Sequence, residues 1–290
     1  MNKVTAIIPV FNAQETLIRA VDSLLIQPEI DQIILVEDGS SDESFEVCKD
    51  LVDRHQIIEL FHHPNFENKG APAARNLGLQ HAKNDWIQFM DADDELLPFK
   101  IKEQLGQVSE DMVLVVSPFS LKTGKAEKII YPMKDIWSGL IATRLGRTTS
   151  NLFNKKVVLE VGGWNENLKN VQEYYLMFEI LKENHGVRFT SEPLTLIYPQ
   201  LNSISHSAKN GKEKKANYFI FRQNVNDFLK LKNAYTLRRK HFFTICTGKN
   251  LEYFSPPFPV RYNKTYYQLY DFFKSIFSKK GINKIRFKSS

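Results

Sequence analysis

The sequence predicts an α/β fold, a mostly parallel central sheet flanked by helices, followed by a helical basic C-terminal extension. Three observations carry that prediction. Short apolar runs at 4–10, 32–36, 57–61 and 86–90 alternate with segments of helical periodicity, and strand–helix repeats of this length lay strands parallel beneath helices on both faces. Three of the runs end in polar clusters, Phe11-Asn12, Glu37-Asp38-Gly39 and Asp91-Ala92-Asp93-Asp94, at the strand ends where open α/β sheets bind ligands. Beyond residue 208 the alternation stops, and Lys and Arg interleave with Tyr and Phe in a helical pattern.

The first run, ending Pro9-Val10-Phe11-Asn12, reads as a buried parallel strand. Asn12 then stands as an N-cap with Glu15 three residues on, the capping-box spacing. Leu17, Ala20, Val21, Leu24 and Leu25 follow at helical spacing. The second run leads into the turn Glu37-Asp38-Gly39-Ser40-Ser41-Asp42, and the next helix carries Phe45, Cys48, Leu51 and Val52 on one face. After the third run a helix begins near Pro72, since proline suits the first helical position. Residues 112–131 read as further strands, 134–145 and 155–161 as helices, with Gly162-Gly163 as a stop, and 171–184 as another helix. In the extension, 255–259 breaks the helical pattern.

The 290 residues are 42% apolar and 25% charged, as in ordinary globular chains. No apolar run reaches the length of a membrane span. The opening MNKVTAIIPVF goes straight into strand pattern and lacks signal-peptide character. Cys48 and Cys246 lie far apart in apolar segments and read as reduced thiols of a cytosolic protein. No G-x-G-x-x-G follows the first strand, which excludes a dinucleotide-binding dehydrogenase. Charge is unevenly spread. Residues 1–199 hold 20 Lys and Arg against 29 Asp and Glu, a balance of −9, whereas 200–290 hold 19 against 4, a balance of +15. The basic net charge therefore belongs to the extension, and an anionic partner argued from that charge would meet the extension.

The most pointed feature is the acidic cluster, four carboxylates within 91–95 directly after an apolar run. Like charges held so close favour a cation, and oxygen ligands suit Mg²⁺ or Mn²⁺ bridging to a phosphate. A solvated acidic loop, or carboxylates at a helix N-terminus, would leave the same trace.

In spacing and order these segments resemble the family 2 inverting glycosyltransferases of the GT-A fold, of the bacterial surface-polysaccharide type. The resemblance rests on IIPVFNAQETL at 7–17, VEDGSSDES at 36–44, GAPAARNLGL at 70–79, FMDADDELLP at 89–98 and NLFNKKVVLEVGGWNENL at 151–168. It covers residues 1 to about 205, with Phe11 where the family usually has tyrosine. It implies a catalytic domain at 1–207, with a nucleotide-sugar half at about 1–100 and an acceptor half at about 101–207, before the extension at 208–290.

Position by position, the resemblance implies that Pro9, Phe11, Asn12, Glu37 and Asp38 form the nucleotide wall. Arg75 would lie by the nucleotide and Asp91, Asp91 and Ala92 at the sugar or ribose, and Asp93 on the Mn²⁺ or Mg²⁺ ion. Asp94 is expected as a helper or an N-cap. Glu173 falls where the family places its catalytic aspartate, while Gln172 and Tyr175 have lost the flanking carboxylates. After Tyr198 the arginine and histidine common in relatives are missing, and His206 is the nearby substitute.

The implied reaction moves a sugar, with inversion, from a nucleoside-diphosphate sugar (UDP-sugar favoured) to a hydroxyl of a glycan or lipid-linked acceptor. Capsule or lipopolysaccharide synthesis is its expected setting. The weakened base motif also fits a non-catalytic relative that binds a nucleotide sugar as a partner or scaffold protein. The extension is expected to meet an anionic membrane surface, peripherally on the inner face of the cytoplasmic membrane, and not nucleic acid.

Overall fold

The structure, a computed structural model, describes residues 2–183, 186–199, 211–252 and 262–279, with the side chains of 212 and 273–279 left aside. The chain divides into two compact units, Met1–Ser207 and Ala208–Ser290.

The first unit opens with β1 (Val4–Val10), α1 (Leu17–Leu25), β2 (Ile30–Glu37), α2 (Ser44–Arg54) and β3 (Ile58–His62). It continues through α3 (Ala71–His81), β4 (Trp86–Phe89), β5 (Glu95–Leu96), α4 (Lys100–Leu105), β6 (Leu114–Val116), β7 (Phe119–Thr123) and β8 (Ala126–Ile130). α5 (Ile136–Ile141), β9 (Leu152–Asn154), α6 (Lys155–Glu160), α7 (Gln172–Glu183), β10 (Val187–Phe189) and β11 (Thr195–Ile197) complete it. Seven strands form the central sheet in the order β10-β6-β9-β4-β1-β2-β3. Its pairs are parallel except those of β9, which runs antiparallel to both β4 and β6. A second sheet has the order β5-β11-β7-β8. The central sheet, mostly parallel and flanked by helices, is the one expected from the sequence.

Apolar residues of the central strands, among them Ala6, Ile7, Ile8, Ile33, Leu35, Phe89 and Val115, are completely buried. Burial on both faces explains why these strands read as continuous apolar runs. On α1, Leu17, Ala20, Val21 and Leu24 of the expected stripe are buried and Leu25 is half-buried. Its start is a correction. Thr16, not Asn12, caps the helix, and without a side-chain bond. Asn12 is left-handed (φ 48°), and its Oδ1 accepts from the Ser41 N–H at 2.8 Å. Polar side chains that bond nearby backbone compete with helix capping, and here the turn after β2 wins. Ser44 Oγ accepts from the Ala13 N–H and Asp42 from the Gln14 N–H, so the β1–α1 and β2–α2 turns form one joined layer.

α3 lies against β1 and β2, and Gly78 sets its distance. A Cβ there would meet Ile7 Cγ2 at 2.5 Å and Val36 Cγ2 at 3.3 Å. The glycine of the RNLGL segment is thus a packing requirement.

In the second unit, α8 (Gly211–Leu231), α9 (Leu237–Leu251) and α10 (Lys264–Lys279) follow one another. Phe219, Phe221, Val225 and Leu229 of α8, Phe243 of α9 and Tyr267 of α10 are buried. Buried Arg222 donates to Asn250 Oδ1 at 2.6 Å, joining α8 to α9. Gly248 lets α9 meet the Tyr267 ring, which a Cβ would strike at 2.3 Å. The break expected at 255–259 lies outside the described residues. No helix among the described residues is long and apolar enough to cross a membrane. Cys48 and Cys246 are free thiols, and burial pushes that of Cys48 up to about 12.

Substituting Gly78→Ala is expected to destabilise the protein by about 1–3 kcal/mol, the usual cost of overpacking. Urea unfolding of the variant against the wild type measures it.

Candidate active site

The polar clusters that follow β1, β2 and β4 meet at one edge of the central sheet. Val10 pairs with Glu37 and Ile7 with Phe89 in register, and the Asp38 N–H donates to the Val10 carbonyl at 2.9 Å. Phe11 lies 46% exposed at that edge and Pro9 is half-buried beside it.

Glu37 and Asp38 face inward and brace the loops. Glu37 accepts from the Gly39 N–H at 3.0 Å and the Ser40 N–H at 2.5 Å, closing the turn on which Asn12 rests. Asp38 Oδ1 accepts from the Lys69 N–H and Oδ2 from the Gly70 N–H, both at 2.8 Å. Burial raises the Asp38 carboxyl above its usual range, opposed by those two N–H bonds. His63 also sits here, buried, with Nε2 3.9 Å from Asp38 Oδ1. In sequence it reads only as a loop histidine.

Arg75 projects from α3, 95% buried, and its Nη2 holds Asp91 Oδ1 at 2.6 Å while the guanidinium lies 4.5 Å from the Trp164 ring centroid. Stacking on an aromatic face and pairing with a carboxylate both suit a planar guanidinium. The next residue, Asn76, fixes that ring. Its Oδ1 accepts from the Trp164 N–H and its Nδ2 donates to the Trp164 carbonyl, each at 2.8 Å. Gly163, at φ 75°, is needed because a Cβ would meet Asn76 Oδ1 at 2.6 Å. The segments 70–79 and 151–168, far apart in sequence, are thereby one structure.

The acidic cluster sorts into three environments. Asp91 is paired with Arg75, its side chain 43% exposed. Asp94 is turned inward, where Oδ2 accepts from the Thr149 hydroxyl at 2.6 Å and Oδ1 from the Tyr198 N–H at 3.4 Å. Burial, then the charges of Asp91 and Asp93, hold its carboxyl well above the ordinary range. Asp93 is pushed up to about 6 by burial and by Asp91. Its carbonyl accepts from Arg19 Nη2 at 2.6 Å, and that guanidinium lies 4.2 Å from the centroid of the Tyr198 ring. Tyr198 in turn donates from its hydroxyl to Glu95 at 2.8 Å. Ala92 is half-buried between the first two aspartates.

Hard oxygen donors with unrelieved negative charge fit Mg²⁺ or Mn²⁺, which take one or two carboxylates and complete their shell elsewhere. Among the described residues no group of three or more His, Cys, Asp or Glu is arranged to hold a metal by itself. Asp91 and Asp93 are the donors such an ion would use.

Glu173 stands in the first turn of α7, its side chain 15% exposed, with Oε1 3.2 Å from Arg147 Nη1. His206 lies outside the described residues. Sequence reading missed Arg19, Arg147, Thr149 and Lys100. Lys100 is a fully buried lysine whose Nζ donates to Gln88 Oε1, and burial drives its pKa well down.

The Asp93 shift has a stability consequence with a definite sign. A carboxyl raised from 3.8 to about 6 costs the folded state almost nothing at pH values well below 3.8, where both states are protonated. The cost develops as pH rises from 3.8 to about 6, where the unfolded state has released the proton and the folded state still holds it, and it stays level above that. Without divalent metal, Asp93→Asn should therefore exceed the wild type by roughly 1 kcal/mol at pH 7.5, after discounting for partial exposure. The difference should vanish by about pH 3, and denaturation in EDTA at the two pH values reads it.

Residues 5–165 match the family model described as Glycosyl transferase family 2. An uncharacterized glycosyltransferase of Haemophilus influenzae is 38% identical over 106 residues, 36% of this chain and 42% of that protein. The matched part is thus about two fifths of that relative's length. Among solved structures, Staphylococcus aureus TarS 1–349 in complex with UDP-GlcNAc superposes with a TM-score of 0.62 at 13% identity, covering 86% of this chain and 81% of that one. The mannosyltransferase PcManGT from Pyrobaculum calidifontis, in complex with GDP-Man and Mn²⁺, gives a TM-score of 0.61 at 12% identity, covering 96% and 81%. At these identities the two structures speak for the fold. The family model spans over half of the chain and takes in the Asp38, Arg75 and Asp91–Asp94 elements that converge at one sheet edge, so the chain belongs to glycosyl transferase family 2.

Proposed function

We propose that the chain is an inverting, metal-dependent glycosyltransferase that moves a sugar from a nucleoside-diphosphate sugar to a hydroxyl of a glycan or lipid-linked acceptor. The observation that carries this reading is the Arg75–Asp91 pair beside a raised Asp93, an arrangement of fixed cation and under-neutralised carboxylates suited to a metal–diphosphate ligand. Structural neighbours in complex with UDP-GlcNAc and with GDP-Man and Mn²⁺ support the donor class and the metal. UDP is favoured for the base, and capsule or lipopolysaccharide synthesis is the proposed setting.

In this reading Pro9, Phe11, Asn12 and Asp38 border the base and ribose, with Glu37 holding their turn, and Asp91 and Ala92 border the sugar. Asp93, with Asp91 at its side, holds Mg²⁺ or Mn²⁺. When bound there, the ion would supply Lewis-acid stabilisation to the departing diphosphate. Arg75, fixed by Asp91 and Trp164, presents positive charge to the same leaving group without needing to reorganise. Glu173 takes the proton of the acceptor hydroxyl as that oxygen bonds to the anomeric carbon. The anomeric carbon–oxygen bond to the diphosphate breaks on the opposite face, which inverts the configuration. Arg147 orients the Glu173 carboxylate.

The extension is proposed to hold the enzyme peripherally at an anionic membrane, on the cytoplasmic face. Its +15 balance supports this, as do the exposed apolar side chains Leu269 and Phe272 on α10. At about 1 kcal/mol per engaged cation, four to six give roughly 4–6 kcal/mol, a reversible attachment.

A thermal-shift panel of nucleotide sugars with and without Mn²⁺ tests the donor class, since stabilisation only with metal is expected. With the responding donor, Glu173→Gln should lower turnover about 10²–10⁴-fold and leave donor affinity nearly unchanged. Near wild-type turnover would remove Glu173 from the mechanism. For the extension, co-sedimentation with vesicles should rise with anionic lipid and fall with salt, and indifference to both would refute the attachment.

A further inference from the structure

We propose that the connector Arg147-Thr148-Thr149 is a positioning element that sets the acidic loop against Glu173. Thr149 fixes the loop and Arg147 fixes the carboxylate. The proposal rests on the reading of Asp91–Asp94 as the donor and metal site and of Glu173 as the general base.

Thr149 is completely buried and its hydroxyl is used twice. It donates to Asp94 Oδ2 at 2.6 Å and accepts from the Asp91 N–H at 3.2 Å. One oxygen thus ties the first and last aspartates of the loop, which fixes the backbone that carries Asp93. The Thr149 carbonyl accepts from Gln88 Nε2 at 2.8 Å, and Gln88 Oε1 accepts from the buried Lys100. Two residues away, Arg147 holds Glu173 at 3.2 Å. A two-residue step spans at most about 7 Å of backbone, so the connector leaves little freedom between its two points of contact.

Strand register explains how the connector arrives there. β9 pairs antiparallel with β4, Asn154 opposite Trp86 and Phe153 opposite Ile87. Continuing that register towards the start of β9 sets Thr149 opposite Asp91, where the hydrogen bond is found. A parallel strand would have brought its other end to this edge.

The connector is also braced. The Arg147 N–H donates to Ser150 Oγ at 2.8 Å, and the Asn151 N–H to the Arg147 carbonyl at 3.1 Å. Gly146, at φ 76°, admits no Cβ because Asn151 Oδ1 would stand 2.0 Å from it. Its carbonyl accepts from the Tyr174 hydroxyl at 3.0 Å, directly beside Glu173 in α7.

The test titrates UDP and GDP, with Mn²⁺ and with EDTA, into the full chain as wild type, Thr149→Ser, Thr149→Val and Arg147→Met. The nucleotide that the wild type binds in a Mn²⁺-dependent way is followed. Thr149→Ser keeps the hydroxyl and should stay within about threefold of wild type. Thr149→Val should lose at least about tenfold of the Mn²⁺-dependent affinity, roughly one hydrogen bond's worth, with affinity in EDTA unchanged. Arg147→Met should leave both affinities as they are and lower hydrolysis of the matching nucleotide sugar by about tenfold or more, with KM unchanged. A merely structural role would shift melting temperature without separating these readouts. Full Mn²⁺ dependence in Thr149→Val, or wild-type turnover in Arg147→Met, overturns the proposal. If Thr149→Val does not fold, Thr149→Ala carries the same comparison against Thr149→Ser. A wild type whose nucleotide affinity ignores Mn²⁺ overturns the reading of the acidic loop and the proposal with it, and that failure is distinct because it shows before any substitution.

Discussion

Three aspartates within four residues, set at the end of a buried strand, repel one another strongly. Two like charges about 4 Å apart interact by about 4 kcal/mol at an effective dielectric constant near 20. Much of the surrounding chain answers that repulsion. Asp91 is neutralised by Arg75, which is in turn held by the Trp164 face and by the Asn76 bonds behind it. Asp94 is withdrawn from solvent and hydrogen-bonded to Thr149 and the Tyr198 N–H. Asp93 receives only partial compensation, through Arg19 on its own carbonyl. Burial first, and then the charge of Asp91, leaves the Asp93 carboxyl elevated, and perturbed groups of this kind gather where charge is put to use.

The scaffold around this loop is built for close approach. Gly78 brings α3 onto the sheet, and Gly163 brings the Trp164 turn onto α3. Arg75 and Asn76, neighbours on α3, then work in different directions, one towards Asp91 and the other towards the turn that supplies the aromatic face. The glycines and the two side chains are therefore parts of one arrangement. Enlarging either glycine would move the guanidinium relative to its carboxylate.

What the sequence made legible was local. Strand order along the chain, the buried stripe of α1, the proline near the start of α3 and the glycine stop after α6 all follow from periodicity and turn chemistry. So does the placing of polar clusters at strand ends. The unread residues act through distant partners. Thr149 meets Asp91 across 58 positions, and Arg19 meets Asp93 across 74. No periodic pattern within a helix or loop records such pairings. Lys100 likewise reads as a surface lysine until the packing of α4 buries it against Gln88. Asn12 shows the opposite failure. Its capping-box spacing was genuine in the sequence, yet its side chain is spent on the Ser41 N–H of the neighbouring turn.

The single antiparallel strand in the central sheet has a consequence for how this chain can vary in length. Side chains alternate faces with a period of two, so a one-residue insertion within 149–154 would slide the stretch on one side of it and turn every side chain there to the other face. Either Thr149 would leave Asp91, or Phe153, now buried against Phe89 at a centroid distance of 5.5 Å, would point the other way. The exposed hairpin tip at Gly124, with open space around it, carries no such burden. Diversification by insertion and deletion is therefore open to that hairpin and closed to β9, although the two are separated by fewer than thirty residues.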